Sequence, residues 1–116
     1  MHKLVILIGP MSAVPDFDEL WPEFLHKAEA MPGLRREVTS RVEEFLFGDQ
    51  LYELVHELYF DSLREAQEAM ASVEGRAAGK LLQHMTRGQI TLFFADHNQD
   101  DLENIRKYQT GRTEDA

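Results

Sequence analysis

Two short runs in this chain, "KLVILI" at residues 3–8 and "QITLFFA" at 89–95, carry apolar residues at neighbouring positions rather than at every second one. A strand with one wet face alternates; a strand without alternation is covered on both faces. Each run therefore belongs inside a layered domain, and the segments between them must supply the layers. The first run stops at Gly9-Pro10, and "MSAVP" reads as a loop.

Helical period follows. Phe17, Leu20, Trp21, Phe24, Leu25, Ala28 and Met31 fall on one face. Asp16 with Glu19 three residues later predicts an N-cap and capping box. His26 lies opposite the apolar stripe, among Asp18, Glu19 and Glu29, and is expected in solvent. Pro32-Gly33 ends the helix.

The pattern then changes to period two. In 34–46, Leu34, Val38 and Val42 take one face, and Arg35, Glu37, Thr39, Arg41 and Glu43 the other. "FGDQ" is a hairpin signal. In 51–60, Tyr52, Leu54, His56, Leu58 and Phe60 share a face, and Glu53, Val55, Glu57 and Tyr59 share its reverse. The hairpin register is not fixed by these residues. Asp61 is expected to cap a helix running to about Ala71; Ser72 opens another, which Gly88 stops. "DDLENIRKY" predicts a short terminal helix.

The order is strand, helix, strand, strand, helix, strand. That is the ferredoxin-like βαββαβ arrangement of the α+β class, an antiparallel sheet with its helices on one face. The domain is expected over 1–97, with 98–116 as an extension ending in a frayed tail. The sheet face away from the helices also carries apolar residues, so a homodimer joined sheet to sheet is expected.

Composition narrows the function classes. Twenty-one acidic against 12 basic residues give a formal net charge of −9, a surface that repels phosphate backbones and anionic lipid, so neither nucleic acid nor membrane is an expected partner. No cysteine is present, which removes disulfides and thiolate metal sites and makes the cytoplasm the default location. The five histidines have no metal-ligand spacing, and no phosphate-binding glycine loop occurs, so neither metal nor cofactor is expected.

"KLVILI", "DFDELW", "MPGLRREV", "HELYFDSLREAQEAMASVEG" and "ITLFFAD" together resemble the EthD family of dimeric α+β barrel proteins, from about Lys3 to Asp96. The family is similar in fold to muconolactone-type isomerases, cofactor-free monooxygenases and some polyketide cyclases. The resemblance implies a dimer with facing sheets and a small pocket in each protomer between sheet and helices. It also implies a histidine seven residues before the Met of the turn, where this chain has Phe24, with His26 at the position of the family's proline. Related methylmuconolactone isomerases use a cysteine where Leu58 stands and a tyrosine where Glu37 stands, so that chemistry does not carry over.

His56 is the remaining candidate base: mid-strand, on an apolar face, desolvated and therefore held neutral. The bland alternative is a core histidine satisfied by a neighbouring hydroxyl or carbonyl. Trp21, Phe24, Tyr52 and Leu58 are expected to line the same space, with His84 at its mouth. Arg35, Glu37, Arg41, Glu43, Glu53 and Glu57 are expected to form cross-strand ion pairs near the dimer interface. Two functions follow. One is the binding of a small hydrophobic or aromatic metabolite beside His56. The other is a cofactor-independent oxygenase or cyclase-like enzyme with His56 as base and Tyr52 as hydrogen-bonding partner.

Overall fold

The computed structural model describes residues 1–10, 16–99 and 102. In order along the chain are β1 (His2–Ile8), α1 (Phe17–Glu29), β2 (Arg36–Arg41), β3 (Leu54–Phe60), α2 (Leu63–Ala71), α3 (Val73–Thr86) and β4 (Ile90–Asp96). The strands form one sheet in the order β2-β3-β1-β4, every pair antiparallel. This is the ferredoxin-like topology expected, with the second helix broken in two at Ser72. The loop expected at "MSAVP" and nearly all of the terminal helix fall outside the described residues. No described helix is long and apolar enough to cross a membrane.

Register fixes what each face holds. Ile6 stands between His56 and Leu92, and His56 in turn stands opposite Thr39; Leu4 stands between Leu58 and Phe94, and Leu58 opposite Glu37. One face is thus Leu4, Ile6, Ile8, Leu54, His56, Leu58 and Phe60, all buried beneath the helices. Phe24, Ala28 and Met31 of the α1 stripe and its exit complete that layer with Leu82 and Met85 of α3. The reverse face carries Val5, Tyr59, Phe93 and the ion pair between Lys3 and Glu57. Glu57 holds the Lys3 ammonium above its ordinary pKa.

Several local expectations are corrected. Asp16 occupies the N-cap position, but its side chain makes no capping hydrogen bond, so no capping box forms. Ser62, not Asp61, caps α2, accepting from Glu65 N–H at 3.1 Å; the Asp61 carboxylate is taken by Arg35 at 2.8 Å. The paired strands are shorter than the alternation suggested, because β1 ends at Ile8 opposite Leu54 and offers no ladder beyond it. Residues 42–53 continue as an arm closed at its base by Val42 N–H to Glu53 C=O (2.9 Å). Gly48 takes the left-handed φ of +94° at its turn, and Leu46 and Phe47 are exposed at its tip.

The α2–α3 corner rests on one hydroxyl. Ser72 Oγ accepts from Gly75 N–H at 3.0 Å and donates to Ala69 C=O, so it serves the end of one helix and the start of the next. A Cβ on Gly75 would stand 2.1 Å from Ala69 O, so only glycine fits there. Ser72→Ala is expected to lower stability by about 1 kcal/mol, measured by urea unfolding. A loss below a few tenths would mean that water replaces the hydroxyl at both contacts.

Candidate functional site

The fully buried side chains on the helix-facing side of the sheet are apolar except at one point, where β2 and β3 meet. His56, on β3, is fully buried. Its Nδ1 lies 2.8 Å from Thr39 Oγ1, directly across on β2. Its Nε2 faces Glu37 Oε2 at 3.3 Å, and each of these two buried atoms lacks any other partner among the described residues. Above the ring, α1 supplies Trp21 edge-on at 5.1 Å between centroids and Phe24 at 5.8 Å. Phe17 stacks on Trp21 in turn, at 5.5 Å. The spacing Phe17, Trp21, Phe24 places all three rings on one helix face.

Burial governs the charges. It pushes the His56 ring down to about 4, against the opposing pull of Glu57 from across the sheet. It pushes the Glu37 carboxyl up to about 7, and the Glu29 carboxylate at the end of α1 adds to that push by repulsion and by sharing a hydrogen bond. An imidazolium–carboxylate ion pair at 3.3 Å would move both groups the other way. Desolvation outweighs that attraction here, and between about pH 4 and about pH 7 the pair is neutral: a protonated Glu37 beside an uncharged ring.

The expected site residues divide. Trp21, Phe24 and Leu58 gather with His56 in one packed layer. Tyr52 does not; it lies outside β3, and its hydroxyl meets Thr91 Oγ1 at 3.3 Å, on the register of the opposite face. His84 is exposed in the last turn of α3. His26 is exposed as expected, whereas His97 is half-buried edge-on against Tyr59. The charged face is also corrected: Glu37 turns toward the helices and Glu57 away from them, so the two never share a surface. Among the described residues no cluster of histidine and carboxylate groups could hold a metal ion.

Two spaces adjoin these residues. Between sheet and helices, Leu4, Phe24, Met31, Met70, Leu82 and Leu92 enclose about 10 Å³, at the limit for one water. A wider basin of about 480 Å³ opens at the base of the arm, beside Pro10, Glu43, Phe45, Tyr52 and Glu53.

Helices on one face of an antiparallel β2-β3-β1-β4 sheet define the ferredoxin-like dimeric α+β barrel class. Within that class the structure bears out the resemblance to the EthD family. An ethyl tert-butyl ether D (EthD) family protein from Bacillus halodurans C-125 superposes with a TM-score of 0.76 at 27% identity, over 84% of this chain and 99% of that one. A dimeric ferredoxin-like protein of unknown function from Jannaschia sp. CCS1 gives 0.62 at 17% identity, over 83% and 97%. SnoaB, a cofactor-independent oxygenase from Streptomyces nogalater, gives 0.60 at 14%, over 87% and 95%. No protein-family model matches the chain, and no curated protein matches it in sequence.

Proposed function

We propose that this chain is a small-molecule binding protein of the EthD type, working as a homodimer joined through the sheet faces that carry Val5, Phe93 and the Lys3–Glu57 pair. Its ligand is a small hydrophobic or aromatic molecule held beside His56, with Trp21, Phe24 and Leu58 as the inner wall and His84 further out, and without the Tyr52 hydroxyl, which meets Thr91 on the register of the other face. The domain ends near residue 97, and 98–116 extend it.

One observation carries the reading: a polar trio in which fully buried His56, set in an apolar aromatic layer, is held between half-buried Glu37 and exposed Thr39. Such a cluster costs stability relative to a hydrophobic replacement, and polar groups retained at that cost concentrate at sites that handle ligands or protons. Binding is favoured over catalysis because both ring nitrogens of His56 already face protein atoms, and because Phe24 stands where the family's histidine would be. The alternative is a cofactor-independent oxygenase or cyclase-like enzyme. It draws on the neutral state of the His56 ring, which a general base requires, and on the likeness in fold to a cofactor-independent oxygenase.

Native mass spectrometry of gently purified protein is the test. A dimer carrying the mass of a small organic molecule is the expected result, and a monomer would overturn the reading. Once a ligand is identified, its turnover by wild type and His56→Ala separates the two functions: equal rates would remove the catalytic one.

A further inference from the structure

Both nitrogens of a neutral imidazole cannot carry a proton at once, so each neighbour of His56 sets what the other may do. A Glu37 protonated on Oε2, the oxygen that faces the ring, donates to Nε2. The ring must then hold its proton on Nδ1 and donate it to Thr39 Oγ1. An ionised Glu37 can only accept, so the ring proton moves to Nε2 and Nδ1 becomes an acceptor. Thr39 must then donate inward. Of the three residues only Thr39 is exposed.

We propose that Glu37, His56 and Thr39 form a proton switch read out at the Thr39 hydroxyl, a recognition group that donates to a ligand when Glu37 is protonated and only accepts when Glu37 is ionised. In the first state the site suits a carbonyl, carboxylate or phenolate oxygen beside Thr39. In the second it suits a phenol, alcohol or amine N–H. The change balances. The Glu37 proton passes to Nε2, the Nδ1 proton passes to the Thr39 oxygen, and the former hydroxyl proton of Thr39 leaves to water. One proton is lost, and every heavy atom keeps its valence.

The geometry supports this independently of any titration. Nδ1 and Thr39 Oγ1 are 2.8 Å apart, and the opposing Nε2 and Oε2 have only one another. The charged groups around the trio set where the change falls. From α1 comes Glu29, which holds the proton on Glu37. From β3, Glu57 acts on the ring through the sheet but is engaged by Lys3. From β2 and its approach, Arg35 is occupied by Asp61, and Arg41 is exposed two residues beyond Thr39. β1 offers only Ile6.

Nitrogen-15 spectra of histidine-labelled, ligand-free protein between pH 5 and 9 test the switch, and need no ligand to be known. The expected result is a His56 ring that stays neutral while Nδ1 and Nε2 exchange protonated and unprotonated signatures, with one midpoint near pH 7. In Glu37→Gln, whose amide does not titrate and can offer Nε2 either its N–H or its C=O, the ring should hold one tautomer balance throughout, with no midpoint near pH 7. A ring that becomes imidazolium as the pH falls through 7 would overturn the proposal, as would one tautomer at every pH or a change that survives in Glu37→Gln. Should that variant not fold, Glu29→Gln at its exposed position decides: a lower midpoint supports the switch, and an unmoved one overturns it.

Discussion

Glu37→Gln is expected to reshape the pH dependence of stability: relative to wild type, the variant should lose about 3 kcal/mol between pH 8 and pH 4.5. The Glu37 carboxyl is raised from 4.5 to about 7 in the fold, so its stabilising contribution is complete below 4.5 and is lost as the pH rises through 7. The His56 ring is lowered from 6.5 to about 4, so its contribution is complete above 6.5 and is lost as the pH falls through 4. Between 4.5 and 6.5 the two slopes cancel in the wild type, because unfolding merely moves one proton from Glu37 to His56. Glutamine removes the first slope and leaves the second. At pH 8, where wild type buries a carboxylate and the variant does not, the variant should be at least as stable. Urea titrations at a series of pH values measure the difference; parallel curves would mean that Glu37 titrates like a surface carboxylate.

Phe24→Ala should cost about 3–5 kcal/mol, the usual range for emptying a buried aromatic site. Phe24 is 1% exposed and packs against both Trp21 and His56, in a layer with no more free space than one water needs. The hole would open directly above the polar trio, so solvation there should also bring the Glu37 carboxyl down toward its ordinary value. The two effects are separable: calorimetry reads the first, and the midpoint of the His56 tautomer change reads the second. A loss under 1 kcal/mol would show that Trp21 and α3 collapse into the space.

The architecture was legible because it depends on patterns local to each segment. The unalternating β1 and β4, the stripe from Phe17 to Met31 and the face Leu54-His56-Leu58-Phe60 each reveal their burial without reference to anything distant. The polar trio was not legible, because it is made by register. Glu37 and Thr39 alternate with Val38 in a way that suits either face, and only the pairing Thr39 with His56 shows that the charged side turns inward. That pairing is set where the arm closes, between Val42 and Glu53, through a segment whose residues are mostly exposed. Tyr52 was misplaced for the same reason: alternation was extended past the point where β1 stops supporting it. At α2, Asp61 and Ser62 are equally good caps by type, and the choice falls to Ser62 because Arg35 claims the aspartate.

The strand order has a consequence for how the chain assembles. β1 is central, bonded on one side to β3 and on the other to β4, with His2 paired to both Phe60 and Asp96. During synthesis its sticky edges wait through most of the chain, one until β3 emerges and the other until β4 does. Contacts this distant in sequence also slow folding, since loop closure must precede their reward. The first strand made is the last to be enclosed.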